Sequence, residues 1–563
     1  MKLRRAIPTL ATAVLLAATS FAQAGAAPAF GSTGSIETGS TGSTGPAGSC
    51  PESVDPASFP GPDELKRMNA KIAGFGLRTP GSPEHARMID WVEQQLDAMP
   101  GVTIRSDEYP LKRWMPSPRS KTGPGRDLAA AGQLSLPGSG GVAEQVPTAG
   151  ALPYSLPTGE AGRTAPMVYL PAGTAITPEN ARGKIVIRDV QVPPIPYAVA
   201  DAQSSYLSPD FPRDGTYARP FNGAFAPDPT AAGIAGAAGV IMAWNVPAEQ
   251  VRGYWDPHTG THFRVPAVFV GVDEAVRLKE LASHGAEAKI SVLAEADDAT
   301  TRNVIATLPG KSKERIVVNT HTDGATWVQE NGSVALLTLA RYLSRLPVEC
   351  RPLTYEFAFT SSHLAMSTDG TERYATQIDK EYDSGDVAFD FSVEHMGTRE
   401  ILPVKRANGP GQQLEFTGAG EPYFWFAGSE SPALSNALVS AVKAHPVDRT
   451  GVVRGFDQPV PGRVPANCSF GGIGGDFHSR LVPALAGISG PWSLWAPSFG
   501  ANAIDFNRLH QQTLVVGDTL LALQNLPHEQ LAGSYPQERA ARAAGAPTCP
   551  HNLPPVDAPG PQG

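Results

Sequence analysis

The stretch VVNTHTDG, residues 317–324, ends an apolar run with the motif His-x-Asp followed by a glycine. The residues before it, RIVVNT, have the apolar and β-branched character of a buried strand, which places His321 and Asp323 at the end of that strand. A carboxylate close to an imidazole can fix the tautomer of a metal-bound histidine. The motif therefore predicts either a metal ligand with its orienting acid or simply the end of a buried strand.

Strand and helix patterns alternate along the chain on both sides of this motif. The alternation predicts an α/β domain with a mixed, mainly parallel central sheet, in which ligand sites lie at the carboxyl ends of strands. We expect helices over 334–346 and 513–526 and strands over 303–310, 315–321, 353–360 and 387–397.

Two further regions precede this domain. Residues 62–98 read as two helices joined by the loop FGLRTPGSPEH, in which Ser82 is placed to start the second helix. Residues 126–297 hold short β-like runs between turns, and they predict a separate β-rich unit inserted into the main domain.

The ends of the chain differ in composition from the rest. Lys2, Arg4 and Arg5 precede an apolar run and a small-residue cleavage site, which predicts a signal peptide and hence a secreted protein. No later apolar segment reaches the roughly 20 residues that a membrane-spanning helix takes, so we expect no membrane span. The predicted division is a signal peptide (1–24), a Gly/Ser/Thr-rich linker (25–50), the first part of the main domain (51–125), the insert (126–297), the rest of the main domain (298–535) and a Pro/Ala-rich tail (536–563).

The net charge bears on whether the protein binds nucleic acid, and the cysteine content bears on whether it forms disulfides. The formal net charge of −9, without any basic run, argues against nucleic-acid binding. The four cysteines are an even set, which in an oxidising compartment predicts two disulfides with three possible pairings. Because Cys50 and Cys549 flank the folded region, a bond between them is the first expectation.

Three other segments place polar side chains at the ends of predicted elements. Glu330 stands just before the helix that begins at Val334, and His363 follows the strand LTYEFAFT. Glu394 and His395 follow the strand VAFDFSV. Because neighbouring residues of a strand point to opposite faces, only one of these last two is expected to face a given site.

Taken together, these motifs resemble the secreted zinc aminopeptidases of the co-catalytic type, the group that includes aminopeptidase Y and the transferrin-receptor-like ectodomains. The resemblance covers most of the chain from residue 51 onward, and it implies a zinc-exopeptidase-like three-layer sandwich. The runs GVIMAW and VPAVFVGVDEAVRL are similar to the protease-associated domain that is inserted in many members. The matching segments of the main domain are FGLRTPGSPEHARMIDWVEQQL, IVVNTHTDG, ENGSVALLTLARYL and EHMG.

The resemblance implies a role for each matched residue. His321 would bind one metal ion and Asp323 would orient it, while Glu330 would take the place of a bridging aspartate and Glu394 that of a further metal ligand. The expected cofactor is zinc, as one or two ions. Two ions about 3.5–4 Å apart polarise a scissile carbonyl and activate a shared water.

Besides glutamates at 330 and 394 where the family has aspartates, the sequence departs from the family pattern at two larger places. Where the family has two adjacent glutamates, this chain has Ser361-Ser362-His363, so that His363 is either the catalytic base or a replacement ligand. Where the family has its last histidine ligand, the chain reads SLWAPSFGANAIDF. The residues that could compensate for the missing ligand are His395, Asp476 and His478.

Two functions from different classes remain. The first is a secreted metal-dependent hydrolase that cleaves peptide or other amide bonds in a peptide or small amide substrate. The second is a catalytically inactive binding protein that keeps the peptidase scaffold, as the transferrin-receptor-like proteins do. A serine hydrolase is disfavoured because the sequence has no G-x-S-x-G motif.

Overall fold

The computed structural model describes residues 50–121, 125–138, 141–220, 226–258, 262–365 and 367–550. The predicted signal peptide, almost all of the predicted linker and the last part of the predicted tail lie outside these residues. The earlier part of the tail is a helix that runs to Ala543.

Several helices begin at the signals that the sequence offers. The second helix starts at Pro83, and the Ser82 hydroxyl accepts the His85 N–H at 3.2 Å. The α-helices in the described residues are α1 (Pro62–Ala73), α2 (Pro83–Asp97), α3 (Leu128–Ala131), α4 (Pro178–Ala181), α5 (Tyr197–Ala202), α6 (Pro227–Ala235), α7 (Val272–Ser283), α8 (Gly332–Ser344), α9 (Gly370–Tyr382), α10 (Pro432–Ala444), α11 (Gly474–Ser479), α12 (Phe506–Leu523), α13 (His528–Ala532) and α14 (Tyr535–Ala543).

The strands form two large sheets and two two-stranded sheets in the described residues. They are β1 (Thr103–Pro116), β2 (Gly132–Leu136), β3 (Glu144–Val146), β4 (Gly150–Ala151), β5 (Arg163–Tyr169), β6 (Ile185–Asp189), β7 (Pro194–Pro196), β8 (Ser204–Leu207), β9 (Thr216–Ala218), β10 (Gly239–Ala243), β11 (Ala267–Val270), β12 (Glu287–Val292), β13 (Ala294–Leu308), β14 (Arg315–His321), β15 (Thr354–Thr360), β16 (Val387–Val393), β17 (Arg399–Lys405), β18 (Gln412–Gly420), β19 (Tyr423–Ala427), β20 (Thr450–Val453) and β21 (Ala484–Ile488). The two-stranded sheets pair β17 with β18 and β7 with β9.

The larger sheet is mixed and carries helices on both faces. Its strand order is β1-β13-β15-β14-β16-β21-β19-β20-β8, and the four neighbours β15, β14, β16 and β21 at its centre are parallel. Along β14, Ile316 and Val318 pack into one core with α1, α2, α8 and α12, whereas Val317 packs into another with α9 and α11. This three-layer arrangement is the zinc-exopeptidase-like fold that the sequence predicts.

The second sheet is formed by residues within the predicted insert. Its order is β3-β2-β12-β5-β6-β10-β11-β4, and α7 packs beside β5. Strand β8 of the same region leaves this sheet and pairs antiparallel with β20, at the edge of the larger sheet. The insert and its protease-associated character remain predictions, because the described residues from Cys50 onward form a single compact unit.

The disulfides join Cys50 to Cys350 and Cys468 to Cys549. The predicted bond between Cys50 and Cys549 is therefore wrong. Position along the chain misled the prediction, since Cys50 lies beside the short 3-10 helix that contains Cys350, while Cys549 lies beside the loop of Cys468.

Among the residues that the structure describes, no helix has both the length and the apolar character needed to span a bilayer.

Candidate metal centre

Three buried side chains converge at the carboxyl ends of two neighbouring strands. His321, Glu394 and His395 each offer one ligand atom, and these atoms lie within 4.8 Å of one another. All three side chains are at most 5% exposed. His321 is the last residue of β14, and the other two follow directly after the parallel neighbour β16.

The backbone beyond β16 allows two consecutive residues to face the same site. The strand ends at Val393, and His395 adopts the left-handed conformation with φ of 52°. The expectation that only one of Glu394 and His395 would face the site is therefore wrong, because side-chain alternation applies within a strand and not beyond its last residue. His395, predicted as a possible compensating residue, lies in the cluster.

The distances within the cluster suit a single metal ion. Glu394 Oε2 lies 3.4 Å from His321 Nε2 and 3.4 Å from His395 Nε2. Zinc bound at about 2.0–2.2 Å in tetrahedral geometry separates its ligand atoms by about 3.4 Å. Two histidines and one glutamate are a ligand set of catalytic zinc sites, in which the fourth position stays open. The residues present therefore fit one zinc ion.

Neighbouring groups hold two of the three ligands, His395 and Glu394, in place. The His395 Nδ1–H donates to the Ser489 carbonyl at 2.8 Å, so that Nε2 presents its lone pair to the cluster. Glu394 Oε1 accepts the Ile473 N–H at 2.6 Å. The preceding Gly472 has φ of 54°, and a Cβ there would collide with the Glu394 carboxylate.

Asp323, the predicted orienting acid, lies near His321 but beyond hydrogen-bond distance, so its orienting role stays a prediction. Its Oδ1 lies 3.6 Å from His321 Nδ1, and the carboxylate also accepts the backbone N–H groups of His363 and Leu364. Asp323 thus ties the end of β14 to the loop that follows β15.

The charges of the cluster are strongly coupled. Burial raises the pKa of Glu394, but His321 and His395 outweigh burial and hold the pKa well below its usual range. Burial lowers the pKa of His321, and Asp323 and Glu394 together raise it to about 10. Burial lowers the pKa of His395 to about 3. The two acids thus favour a positive charge on His321, and a divalent cation would supply that charge instead.

Glu330 lies outside this cluster. Its carboxylate pairs with the guanidinium of Arg78, and both side chains are buried. Arg78 also donates to the carbonyls of Thr326, at 3.0 Å, and Ile72, at 3.4 Å. The predicted metal role of Glu330 finds no support in this arrangement, because a buried guanidinium already neutralises its charge.

His363 lies beside the cluster, with its ring centre 5.0 Å from that of His321. Its Nδ1 lies 3.3 Å from Asp369 Oδ2, and its Nε2 lies 3.3 Å from His258 Nε2. Burial lowers the pKa of His363, but the contact with Asp369 outweighs burial and raises the pKa overall.

The two other compensating candidates are placed elsewhere. Both ring nitrogens of His478 are occupied, since Nε2–H donates to the Asn467 carbonyl at 2.8 Å and Nδ1 accepts the Tyr535 hydroxyl. Asp476 lies in α11, and its Oδ1 is 3.6 Å from Arg480 Nη1. Burial together with the charge of Asp369 raises the pKa of Asp476 to about 8. The structure therefore brings neither residue into the cluster.

A cavity of about 470 Å³ opens onto the cluster. Its polar lining includes His258, His363, Glu394 and His395, together with Arg219, Ser469 and Ser489. Much of the remaining wall is apolar, and it includes Ile195, Tyr197, Phe424, Phe456, Phe470 and Ile488.

Sequence reasoning missed Arg78, Asp256, His258 and Asp369. Arg78 lies within the amino-terminal loop that carries the resemblance, yet nothing in the sequence links it to Glu330. Asp256 and His258 form an Asp-x-His pattern in GYWDPHTG. One residue separates the acid from the histidine, as in the His321-x-Asp323 motif. That pattern was the available signal for His258.

Comparisons with known proteins bear on the fold. The sequence matches no protein-family model and no curated protein. Among solved structures, the zinc aminopeptidase BSAP of Bacillus subtilis aligns with a TM-score of 0.55 at 16% identity, over 82% of this chain and 95% of the other. The chain has the fold of a zinc aminopeptidase.

Two further structures support this fold. The peptidase M28 precursor of Shewanella amazonensis SB2B aligns with a TM-score of 0.53 at 16% identity, over 83% of this chain and 98% of the other. The aminopeptidase of Aneurinibacillus sp. strain AM-1 aligns with a TM-score of 0.50 at 18% identity, over 82% of this chain and 93% of the other. At identities this low, the similarity shows the fold and not the chemistry of the site.

Proposed function

We propose that the protein is a secreted metal-dependent hydrolase that cleaves peptide or other amide bonds. The observation that carries the proposal is the convergence of His321, Glu394 and His395 beside a cavity, at the carboxyl ends of parallel strands. The zinc-aminopeptidase fold and the two disulfides support a hydrolase that works in an oxidising compartment.

Zinc is the metal that we assign to this site, held by the two imidazoles and the carboxylate. When bound, it would supply Lewis acidity and lower the pKa of a coordinated water. The other steps fall to the protein's own residues. Asp323 keeps His321 in place, and Ser489 keeps the lone pair of His395 Nε2 directed at the cluster.

His363 is the catalytic residue that we assign beside the ligands. It lines the cavity, and Asp369 holds its Nδ1 side. Its Nε2 is the atom that would take a proton from water.

The cavity suggests the kind of substrate. Aromatic rings from Tyr197, Phe424, Phe456 and Phe470 line the space next to Glu394 and His395. An apolar group of a peptide or small amide would displace water from this wall and bring the neighbouring amide bond to the ligands. The segment 126–297 supplies part of the wall, and we propose that it is a protease-associated-like insert.

A binding protein without activity is the second candidate, and one observation favours it. The residues that follow β15 are Ser361 and Ser362, whose hydroxyls bond to the Arg302 carbonyl and the Tyr109 hydroxyl. These serines provide no carboxylate where the family has its glutamate pair.

Metal content and hydrolysis measured on the same preparation separate the two candidates. We expect the mature protein to bind zinc and to release 4-nitroaniline from aminoacyl 4-nitroanilides, with activity that a chelator removes and zinc restores. The variant His395→Ala should lose both bound zinc at this site and activity, whereas the exposed His284→Gln should keep both. Stoichiometric zinc without hydrolysis of peptides, anilides or acylated amides would favour the binding protein.

A further inference from the structure

We propose that the cavity takes substrates without a charge beside the scissile bond, and that its preferred substrates are apolar peptides or amides whose α-nitrogen is acylated. This substrate class rests on the proposed function and follows from the charges of the cavity lining. In the described residues, that lining holds one acid, one arginine, three histidines and a wall of aromatic and aliphatic side chains. The volume of about 470 Å³ lies in the usual range of small-molecule sites.

Glu394 is the one acid among the described residues that line the cavity. Its Oε1 accepts the Ile473 N–H at 2.6 Å, and its Oε2 lies 3.4 Å from a ring nitrogen of each histidine in the cluster. The histidines of the lining supply no negative charge in either protonation state. The segments 221–225 and 259–261, which adjoin the lining in sequence, contain no aspartate or glutamate. The described lining therefore keeps no carboxylate for a substrate cation.

The charge of Arg219 is balanced within the wall. Its Nε donates to Glu421 Oε1 at 2.8 Å, and its Nη2 donates to Glu421 Oε2 at 3.0 Å. Both side chains are buried. The guanidinium also lies over the Tyr217 ring, 4.5 Å from the ring centre. This side of the cavity is consequently close to neutral, although an arginine contributes to it.

The two serines of the lining are taken up by bonds within the protein. The Ser469 hydroxyl accepts two backbone N–H groups, at 2.6 and 2.5 Å, which occupy both of its lone pairs. The Ser489 hydroxyl donates to the His395 carbonyl at 2.8 Å and bonds to the Thr398 hydroxyl at 2.7 Å. An ammonium group needs acceptors, and these hydroxyls offer it little.

The place of an α-ammonium group in a substrate makes this charge balance decisive. The lengths of the N–Cα and Cα–C bonds put the nitrogen about 2.5 Å from the scissile carbonyl carbon, so the charge would enter the cavity beside the ligands. A divalent ion held by one carboxylate and two neutral imidazoles keeps a net positive charge, which repels a second cation. Removal of an ammonium group from water without an acid partner is also unfavourable. An acylated nitrogen carries no charge and avoids both costs.

Ile195 is a position at which the charge balance can be changed. It lines the cavity on β7, opposite Tyr217 of β9, and it is 45% exposed. A glutamate there keeps contact with water, so the variant should fold. Ile234 of α6 is the matched control, because it is 80% exposed and belongs to the same predicted insert but lies outside the lining.

Titration calorimetry with N-acetylphenylalaninamide and phenylalaninamide tests the substrate class without hydrolysis. At pH 6 the second ligand is an ammonium ion, because an α-amino group has a pKa of about 7.7–8.0. The acetylated ligand should bind at least about 10-fold more tightly to the wild type and to Ile234→Glu. Ile195→Glu should narrow this difference about 2–5-fold, since a partly exposed acid then pairs with the ammonium group. Equal or tighter binding of phenylalaninamide to the wild type, or no binding of either ligand, would overturn the proposed class.

Hydrolysis of the matching 4-nitroanilides separates this class from the proposed function. The acetylated phenylalanine 4-nitroanilide should have a kcat/KM at least about 10-fold above that of the free amine. Faster hydrolysis of the free amine would overturn the substrate class and leave the hydrolase in place. A preference for the acetylated ligand in binding, without hydrolysis of either anilide, would count against the hydrolase alone. Equal effects of Ile195→Glu and Ile234→Glu on binding would place the ligand outside this cavity and overturn the class.

Discussion

The guanidinium of Arg78 pairs with the carboxylate of Glu330, and the side chains are 0% and 1% exposed. Burial lowers the pKa of Arg78 to about 9, while the charge of Asp323 opposes that shift. The pair thus joins the amino-terminal loop to the segment before α8, near Asp323. We infer that this ion pair stabilises the fold, and the stability of variants that lack one partner tests this.

Removal of one partner should leave a buried charge uncompensated. We expect Arg78→Met to lower the free energy of unfolding by about 3–5 kcal/mol, and the double variant with Glu330→Met to recover part of that loss. Urea denaturation of the single and double variants measures both effects. Glu330→Gln should keep its zinc; a loss of zinc in that variant would return Glu330 to the metal site.

Asp323→Asn should weaken zinc at the three-residue cluster. The amide cannot stabilise His321 as the carboxylate does, and loss of such a neighbour costs about 10–100-fold in metal affinity. Competition with a chromophoric chelator measures the change. Asp390→Asn is the control, because burial raises the pKa of Asp390 well above its usual value and the neutral amide resembles the protonated acid. Equal zinc affinity in both variants would contradict the orienting role.

Stability should fall with pH on the acid side because of His478. Burial lowers the pKa of His478 to about 4, whereas the unfolded chain has an ordinary value of about 6.5. Between these values the unfolded state binds a proton that the folded state does not, so acidification favours unfolding. The contribution is about 3 kcal/mol over this window. Urea titrations from pH 7 to pH 4 should show a steeper loss for the wild type than for His478→Gln, and parallel curves would contradict the assignment.

The disulfide between Cys468 and Cys549 closes a loop with a sequence separation of 81 residues. Replacing both cysteines by serine should lower the free energy of unfolding by about 2–5 kcal/mol, because the unfolded chain gains freedom. Thermal unfolding with and without reductant measures the effect, and the reductant should then act on the variant only through Cys50–Cys350. Unchanged stability in the double variant would show that the bond adds nothing beyond the surrounding contacts.

Local sequence patterns were sufficient for much of the fold. Apolar periodicity predicted α1, α2, α8 and strands β14 and β15 close to their observed bounds. It also found α12 and β16, but it placed the start of α12 seven residues too late and the end of β16 four residues too late. The strand-end positions of His321 and Glu394 followed from the same patterns, because parallel strands bring their carboxyl ends to one edge of the sheet.

The sequence did not predict contacts between residues far apart in the chain. It also did not predict local departures from regular backbone geometry. The pairing of Cys50 with Cys350 and the approach of His258 to His363 depend on how whole segments pack. Strand alternation allowed only one of Glu394 and His395 to face the site, whereas the positive φ of His395 after β16 brings both there. Arg78 gave no sign in the sequence that it neutralises Glu330.

Strand β8 has a consequence for protein engineering. It is drawn from the region of residues 126–297, yet it covers the outer edge of β20. Excision of that region would uncover a row of unpaired backbone groups, which invites chains to associate edge to edge. A shortened version should therefore retain Ser204–Leu207 or carry a charged residue on β20.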